Sequence, residues 1–542
     1  MIGLGIVMPA QAPPRRHVLI VVDGLRPDYV TAGVMPRLTA VGKRGVVFTK
    51  HHAVFPTVTR VNGASFATGA YPGAHGLMGN SVYFPRVDPA RFLDTANRQQ
   101  LSRIAAVEGT LLTVPTLAEI LRQTGERMFV TSSGSPGSAM LIDPTAAGGA
   151  MVHPEFVIPE TLRGAMAKVG EPPTGEAQPM ARDRYAVDAF LKVGLPHVTP
   201  TVSVIWLGSL DATAHSKGIG SPDAVSALRH LDGEIGRIED GLRAAGLLDA
   251  VNIWVSSDHG FSTHTGAVDI AAILTPFART LSDGTPRIVA SGGAIYVRDG
   301  DDDTVGGIVR GLQQTPGVGA IFTRAARPGS LDGHVAGTLS FDVVHWNHDR
   351  SAQILYSPDW TDAPNAHGVR GSVAAGGTAG HGSSSPWDVH NTLIAAGPDL
   401  GSGRRIDAPS ANVDLMPTVL ALLGKVVPSS VQGRILEEAF AGDRARAARR
   451  AVTTTEHTAR TSDPPYAVTA RLSILHGGSR EYRYFDGTAV SREVIARHHR
   501  FGGAPAELAQ RGSSVGNRSR PHAAARNDVR GVRLTYRPLA SR

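Results

Sequence analysis

Five short apolar runs, separated by stretches long enough for helical crossovers, constrain the fold of this chain more than any other feature. The runs are rich in Val, Ile and Leu, and they lie at residues 17–24, 128–133, 202–211, 252–260 and 391–398. Continuous apolar runs of this length are typical of strands that are buried on both faces of a parallel sheet. We therefore predict five buried parallel strands.

The stretches between the runs carry helical patterns. In residues 223–246, Leu228, Leu231 and Ile235 follow one another at the three- and four-residue spacing of a buried helix face. A repeated strand–helix–strand order favours a mostly parallel sheet covered by helices on both sides. The predicted fold class is α/β, a three-layer α/β/α sandwich with inserted cap segments.

The domain organisation follows from where this series is interrupted. It runs through residues 17–440, and two insertions rich in Gly and Pro interrupt it at about 85–200 and 265–380. In an α/β fold such insertions usually lie over the carboxyl ends of the strands and shape the substrate pocket. Residues 441–500 are predicted to form a charged linker followed by a hairpin at 469–487.

The formal net charge of +7 is concentrated at the end of the chain. Residues 501–542 hold eight arginines against Glu507 and Asp528, and so supply most of this charge. The rest of the chain is nearly neutral, which favours a solvated, disordered basic tail over a nucleic-acid-binding groove. We expect no nucleic-acid partner for the α/β domain, with nucleic-acid binding by the tail as the alternative.

The first sixteen residues are interpreted as a leader. An apolar run from Ile2 to Met8 precedes Ala10-Gln11-Ala12, the small-residue pattern of a signal-peptidase site, without a basic start. A truncated signal peptide predicts a periplasmic or secreted protein, whereas a plain leader leaves a cytoplasmic location open. The sequence holds no run of about 20 apolar residues, so no membrane span is predicted.

Polar residues follow three of the predicted strands directly. Asp23, Asp211 and the pair Asp258-His259 occupy these positions. A single Asp after a strand is most often a turn residue or a helix N-cap. Because parallel strands present their carboxyl ends at one edge of a sheet, these side chains can nevertheless converge on one crevice.

The four groups Asp23, Asp211, Asp258 and His259 need a counter-charge if they converge, and two further histidines extend the set. His215 lies one helical turn after Asp211, and His381 lies in a Gly-His-Gly loop before the last strand. The chain has no cysteine, so carboxylate and imidazole must hold any metal. Such ligands suit a divalent ion, with Zn²⁺ favoured and Mn²⁺ as the alternative, and the number of ligands implies two ions.

The candidate nucleophile is Thr59. It precedes a short helical stretch that is rich in small residues and ends at Gly69. A hydroxyl at a helix N-terminus is well placed to receive an anionic phosphoryl group. Asn62 could donate a hydrogen bond to a developing oxyanion. Thr57, in the same loop, is the competing nucleophile.

Other histidines near these motifs are interpreted as core, surface or supporting residues, and His75 as a structural residue in a turn. The set comprises His51, His52, His75, His264 and His390.

Taken in order, the motifs resemble those of a known family. They are VVDGLRPD (21–28), ATGAYPGAHG (67–76), D-x-x-x-H (211–215), SDHG (257–260), GHG (380–382) and DLMPTVLALLG (414–424). This set resembles the alkaline-phosphatase superfamily, specifically the type I phosphodiesterase/nucleotide pyrophosphatase family, over roughly residues 17–430.

The resemblance implies a catalytic role for the 17–440 domain and a function for each candidate. It implies one metal at Asp23, Thr59, Asp258 and His259, and a second at Asp211, His215 and His381. Two ions about 4 Å apart act as a clamp on an in-line displacement. The implied activity is hydrolysis of phosphodiester or pyrophosphate bonds of a small phosphoester through a phosphoryl-threonine intermediate.

One departure bears on the substrate. The family usually has an aromatic residue and a proline after the nucleophilic Thr, whereas this chain has Arg60 and Val61. Arg60 could bind a second negative charge on the substrate, or it could face solvent. The alternatives are therefore a phosphomonoesterase, or an enzyme like phosphonoacetate hydrolase, that acts on a small acidic substrate, and more remotely an inactive binding protein of the same fold.

Overall fold

The computed structural model describes residues 15–492, apart from residues 147, 176–177, 443–449 and 478–479. The leader, except for its last two residues, and the basic tail at 501–542 lie outside the described residues. Within the described ranges, no helix is long and apolar enough to cross a membrane.

The strands of the described residues are numbered in chain order. They are β1 (Arg16–Val22), β2 (Val46–His52), β3 (Ser81–Val82), β4 (Leu93–Asp94), β5 (Met128–Ser132), β6 (Ala150–His153), β7 (Phe156–Ile158), β8 (Val202–Leu207), β9 (Val251–Ser256), β10 (Ser262–His264), β11 (Ile288–Ser291), β12 (Ala294–Val297), β13 (Val318–Thr323), β14 (Leu339–Ser340), β15 (Ile354–Pro358), β16 (Trp360–Pro364), β17 (Arg370–Val373), β18 (Ala379–Gly380), β19 (His390–Ala396), β20 (Arg404–Ile406), β21 (Ser410–Ala411), β22 (Val452–Ser462), β23 (Pro465–Gly477) and β24 (Arg480–Ser491).

The α-helices are numbered in the same way. They are α1 (Pro36–Arg44), α2 (Thr59–Thr68), α3 (Pro72–His75), α4 (Arg98–Glu108), α5 (Leu117–Gln123), α6 (Pro136–Ile142), α7 (Arg163–Met166), α8 (Pro179–Ala189), α9 (Ser209–Lys217), α10 (Pro222–Ala244), α11 (Ile270–Leu274), α12 (Asp302–Gln314), α13 (Pro386–Val389) and α14 (Leu415–Leu422).

A ten-stranded sheet forms the centre of the fold. Its order is β20-β2-β19-β9-β1-β8-β5-β6-β7. The tenth strand, β21, pairs with the last two residues of β2, after the part of β2 that pairs with β20. The pairs β1–β8, β1–β9, β5–β8, β5–β6 and β2–β20 are parallel. This mostly parallel sheet confirms the predicted fold class.

Side chains of β1 alternate between the two faces of this sheet. Val18, Ile20 and Val22 pack with α1, α8 and α10 in one core. Leu19 and Val21 pack in a second core with α2, α5 and α14. Burial of each such side chain stabilises the fold by about 1.5–3 kcal/mol. The helices therefore form the two outer layers of an α/β/α sandwich.

One predicted strand direction is wrong. The run at 391–398 forms the buried strand β19, but β19 is antiparallel to both neighbours, β2 and β9. An apolar run reports burial on both faces and carries no information on strand direction. The amino end of β19 therefore lies at the edge where the parallel strands end, and His381, which precedes it, reaches that edge.

The strand β2 was not predicted from the sequence. Its residues Val46–His52 mix apolar side chains with Thr49, Lys50 and two histidines, and its burial is not uniform. Because β2 runs parallel to β9 and β1, the chain leaves it at the same edge and leads directly to Thr59.

Three of the four smaller sheets among the described residues have three or more strands. They are β11-β12-β15-β13-β14, β16-β17-β10-β18 and β22-β23-β24. The predicted hairpin at 469–487 corresponds to the antiparallel pair β23–β24. Apolar residues of β22–β24 such as Val468 and Phe485 share a core with Ile321 and Phe322 of β13.

Buried polar contacts attach the β22–β24 sheet to the central sheet. His52 Nε2 lies 2.8 Å from Asp486 Oδ1, and Ser473 donates to Asp486 Oδ2. Thr488 hydrogen-bonds Ser384, three residues after His381. This sheet therefore supports the loop that carries His381.

We expect Asp486→Ala to lower the free energy of unfolding by about 3 kcal/mol, because removal of one partner of a buried pair leaves the other unpaired. His457 and Asp332 form a matched pair at the same 2.8 Å, but both are partly exposed. Asp332→Ala should cost less than about 1 kcal/mol. Urea denaturation of both variants measures the difference.

The pH dependence of this effect has a defined sign. Burial opposes ionisation of Asp486, but the hydrogen bond and charge of His52, the charge of His390 and the hydrogen bond from Ser473 together outweigh it and lower the pKa of Asp486. A lowered folded-state pKa contributes stability above the unfolded Asp pKa of about 4 and loses it at lower pH. The difference in free energy of unfolding between wild type and Asp486→Ala should therefore become smaller below that pH. If Asp486→Ala and Asp332→Ala lower the free energy of unfolding equally, burial has no role in the effect.

Candidate active site

The first cluster lies where β1 and β9 end. His259 Nε2 lies 3.3 Å from Asp23 Oδ1 and 3.1 Å from Asp258 Oδ2. The same nitrogen lies 3.2 Å from the Thr59 hydroxyl oxygen. All four side chains are buried, Thr59 with 5% of its surface exposed. The structure therefore brings the candidate nucleophile into contact with the predicted ligands.

The second cluster is built on α9, which follows β8. Asp211 and His215 lie one turn apart on this helix, and His215 Nε2 is 3.2 Å from Asp211 Oδ1. His381 Nε2, from the loop before β19, is 3.4 Å from the same oxygen. The imidazoles of His381 and His259 stack with ring centroids 3.4 Å apart, which joins the two clusters.

The three histidines share one hydrogen-bonding pattern. Each Nδ1 lies 2.9 Å from a backbone carbonyl, with the pairs being His259 and Gly260, His215 and Ala379, and His381 and Thr57. A carbonyl oxygen only accepts, so each Nδ1 carries a proton and each Nε2 faces the carboxylates. This is the orientation of metal-ligating histidine, in which the second nitrogen fixes the ring.

Each of the three carboxylates has one buried oxygen without a hydrogen-bond donor among the described residues. Asp23 Oδ1, Asp211 Oδ1 and Asp258 Oδ2 are buried and accept no hydrogen bond from any described residue. Burial raises the pKa of Asp23 well above its usual value, and the charges of Asp258 and Asp211 raise it further. Burial, followed by the charge of Asp211, raises the pKa of Asp258 to about 7. Divalent cations fit this donor set, because they would satisfy the free oxygens and relieve the repulsion.

His215 differs from the other ligand candidates in its exposure and its protonation. Burial disfavours its charged form, but the contact with Asp211, the charges of Asp211 and Asp23 and the Ala379 carbonyl together outweigh burial and raise the pKa of His215 to about 9. A cation that binds at this position must therefore displace a proton.

Thr59 is the first residue of α2, and Gly69 ends this helix in the left-handed region at φ 63°. The competing residue, Thr57, uses its hydroxyl elsewhere. Thr57 Oγ1 donates to the Ser383 carbonyl at 2.8 Å and accepts from the Gly382 N–H at 3.1 Å. The hydroxyl that faces the clusters is that of Thr59, while Thr57 supports the His381 loop.

The structure does not bring Asn62 to the site. Its amide donates to the carbonyls of Val54 and Val58, and its Oδ1 accepts from the Val54 N–H and from Asn412. The side chain is fully buried. With every hydrogen-bonding position occupied, Asn62 holds the loop before α2 and has no donor left for an oxyanion.

Asn80 and Arg60 form the other side of the α2 N-terminus. Asn80 Oδ1 accepts the Arg60 backbone N–H at 2.9 Å, and the Asn80 amide NH₂ has no acceptor among the described residues. Sequence reasoning missed Asn80, because it lies far along the chain from Thr59 and in no short motif. Arg60 itself is half-buried, so its side chain is not on the open surface.

Trp206 is a second residue that the sequence did not indicate. Its indole Nε1 donates to Asp23 Oδ2 at 2.9 Å, which leaves Asp23 Oδ1 free. The one available signal was an indole within an otherwise aliphatic strand. A buried indole needs an acceptor, and here the acceptor is a ligand candidate.

A third group of possible ligand atoms comprises His52, His390 and Asp486. Its shortest contact, 2.8 Å from His52 Nε2 to Asp486 Oδ1, is a hydrogen-bond distance. Two ligands of one tetrahedral Zn²⁺, each about 2.0–2.1 Å from the ion, lie roughly 3.3 Å apart. The 3.1–3.4 Å contacts of the first two clusters match that separation, and the third group does not.

The α/β/α core, with its carboxylates, histidines and threonine at one sheet edge, defines the class as the alkaline-phosphatase superfamily. The family model described as "Type I phosphodiesterase / nucleotide pyrophosphatase" matches residues 17–360. The chain belongs to this type I phosphodiesterase/nucleotide pyrophosphatase family.

Relatives agree with this assignment. Ectonucleotide pyrophosphatase/phosphodiesterase family member 1 of Mus musculus is 25% identical over 262 residues, which are 46% of this chain and 24% of the relative. Bis(5'-adenosyl)-triphosphatase ENPP4 of Bos taurus is 25% identical over 281 residues, 51% of this chain and 54% of the relative. The chain thus spans about a quarter to a half of the length of these relatives.

A solved structure has the same fold. Murine ectonucleotide pyrophosphatase/phosphodiesterase 5 superposes with a TM-score of 0.56 over 76% of this chain and 96% of that chain, at 17% identity. An inactive variant of that murine protein, solved in complex with AMP, gives a TM-score of 0.55. At this identity the likeness extends to the fold.

We expect Trp206→Phe to weaken divalent-metal binding about 10- to 100-fold, because Asp23 loses the donor that orients it. Trp254→Phe is the matched control, since Trp254 is equally buried in the adjacent strand β9 and donates to His17 instead. Calorimetric titration of both metal-free variants with Zn²⁺ measures the effect. Equal losses in the two variants would contradict a specific role for the Trp206 indole.

Proposed function

We propose that the protein hydrolyses phosphodiester or pyrophosphate bonds with Thr59 as the nucleophile. The observation that carries this proposal is the contact between the Thr59 hydroxyl and a buried group of His and Asp side chains with unsatisfied oxygens. Family membership supports the reaction class. The names of the relatives, a nucleotide pyrophosphatase/phosphodiesterase and a bis(5'-adenosyl)-triphosphatase, also support this reaction class. The chain spans only part of the length of these relatives.

We further propose two cation sites, each with its own ligand set. Asp23, Thr59, Asp258 and His259 would hold one ion, and Asp211, His215 and His381 the other. When bound, such divalent ions supply Lewis acidity toward the attacking and leaving oxygens. Zn²⁺ is favoured by the nitrogen-rich second set, with Mn²⁺ as the alternative.

The residues of the chain then perform two displacements. The Thr59 oxygen forms a bond to phosphorus while the bond to the leaving-group oxygen breaks and that oxygen takes up a proton. Water next attacks the same phosphorus, the Thr59–phosphorus bond breaks, and Thr59 regains its proton. Throughout, the N-terminal end of α2 presents backbone N–H groups to the phosphoryl oxygens.

We assign the role of oxyanion donor to Asn80 in place of Asn62. The Asn80 Oδ1 is held by the Arg60 N–H, so its free NH₂ group is held in place beside the first turn of α2. A preorganised donor at this position stabilises charge that develops on the phosphoryl oxygens.

A location outside the cytoplasm belongs to the same proposal. The relatives are named as ectonucleotide enzymes, which agrees with the predicted signal peptide. Cell fractionation tests this, and recovery of the protein in the cytoplasm alone would contradict it.

We expect Thr59→Ala to lower kcat at least about a thousandfold, as removal of a nucleophile does. Thr57→Ala should lose less, about 10- to 100-fold, because it only loosens the His381 loop. The assay uses bis-p-nitrophenyl phosphate and p-nitrophenyl phosphate with added Zn²⁺ or Mn²⁺. Greater loss in Thr57→Ala would contradict the nucleophile assignment, and a monoester preference would move the enzyme to the phosphatase branch.

We expect the purified protein to bind two Zn²⁺ ions per chain and to lose activity when a chelator removes them. Asp211→Asn should reduce the count toward one, because Asp211 is the carboxylate of the proposed second set and groups with His215 and His381. Asp486→Asn serves as a control that retains both ions, since its contact with His52 has hydrogen-bond geometry. Elemental analysis after gel filtration gives the count, and full occupancy in Asp211→Asn would overturn the ligand assignment.

A further inference from the structure

We infer that Arg60 is the binding site for a second phosphate group of the substrate, adjacent to the phosphate that Thr59 attacks. This inference rests on the proposed function and specifies its substrate class. Substrates would be pyrophosphate-linked compounds, which carry a further anion beside the scissile phosphorus, in preference to diesters with a single charge.

The backbone and stem of Arg60 are fixed beside the nucleophile. Arg60 follows Thr59 in the first turn of α2, and Asn80 Oδ1 accepts its backbone N–H at 2.9 Å. Its side-chain Nε lies 3.4 Å from Thr95 Oγ1. Thr95 Oγ1 in turn donates to the Asn80 carbonyl at 2.6 Å. The side chain is thus held on the segment that also carries Asn80.

The end of the Arg60 side chain has no partner in the part of the chain that the structure describes. Among the described residues, no carboxylate forms an ion pair with it, and its two terminal NH₂ groups donate to no acceptor. The buried arginines of the same structure differ in this respect. Each has partners for its terminal nitrogens, namely Asp28 for Arg26, Gly134 for Arg182, Asp301 for Arg287 and Glu438 for Arg434.

Arg60 also lies in the field of the candidate metal ligands. The negative charges of Asp94, Asp23 and Asp211 all act on its guanidinium. A half-buried guanidinium without a partner is costly for the protein alone. The cost is offset if an anion enters with the substrate.

The chemistry of the guanidinium identifies the anion. Its planar fork donates two parallel hydrogen bonds to a phosphate. The charges of Asp23 and Asp211 act on Arg60, so its guanidinium lies close enough to the candidate ligands to meet an anion beside the attacked phosphorus. Thr59 and the α2 N-terminus engage the scissile phosphoryl group itself. The group left for Arg60 is the next phosphate along a pyrophosphate link.

Binding tests this independently of turnover. We would titrate Zn²⁺-loaded Thr59→Ala, with and without Arg60→Met, using inorganic pyrophosphate, inorganic phosphate and phosphonoacetate. Arg60→Met should weaken pyrophosphate binding at least about tenfold more than phosphate binding, as loss of a charge-assisted bidentate contact does. Arg60→Lys should restore part of the difference, because it keeps the charge without the fork.

A surface substitution and a fold check accompany the series. Arg229→Met removes an exposed arginine of α10 and should change none of the affinities. Thermal unfolding of each variant shows that it is folded. Equal weakening of phosphate and pyrophosphate by Arg60→Met would overturn the second-phosphate site, and so would no weakening of either. A larger effect on phosphonoacetate would replace the second phosphate with a carboxylate and overturn the substrate class.

Turnover separates this inference from the proposed function. With Thr59 intact, Arg60→Met should lower kcat/KM for bis(5'-adenosyl) triphosphate at least about tenfold more than for bis-p-nitrophenyl phosphate. If pyrophosphate binding depends on Arg60 but no metal supports hydrolysis of either compound, the proposed function fails and the second-phosphate site stands.

Discussion

Repulsion among buried carboxylates is the constraint on which the rest of the site depends. Asp23, Asp211 and Asp258 meet at one sheet edge with oxygens that no described group satisfies. Ionising all three in a buried crevice raises the free energy of the folded protein unless positive charge is supplied. Histidines whose Nδ1 atoms are already bonded to carbonyls direct their Nε2 atoms into the same space. Divalent cations would therefore relieve this repulsion and satisfy the free oxygens.

The rest of the structure holds these groups together against that repulsion. Parallel β1, β8 and β9 deliver the carboxylates, and antiparallel β19 allows the chain to approach the same edge from its amino end, which brings His381 there. The β22–β24 sheet supports this loop through Ser384 and Thr488. The residues outside the matched 17–360 segment thus bear directly on the site.

Neighbouring residues in the first turn of helix α2 make different contacts. Thr59 presents its hydroxyl to the clusters, and Asn62 anchors the preceding loop. Arg60 carries a guanidinium whose terminal NH₂ groups have no acceptor among the described residues. Asn80 is held beside this turn, because its Oδ1 accepts the Arg60 backbone N–H. The proposed nucleophile and the proposed second-phosphate site therefore lie in the same helical turn.

The sequence by itself determined the sheet class and the ligand candidates, because strand-end positions such as Asp23 and Asp258 are local features of a repeated strand–helix pattern. It also indicated Thr59 through the helix that follows. Only the tertiary structure decided the direction of β19, the existence of β2 and which hydroxyl, that of Thr57 or that of Thr59, faces the clusters. It likewise showed that the Asn62 side chain is fully hydrogen-bonded and that Trp206 donates to Asp23. Those outcomes depend on hydrogen bonds between residues that are distant in sequence. The spacing of residues along the chain does not specify which donor pairs with which acceptor.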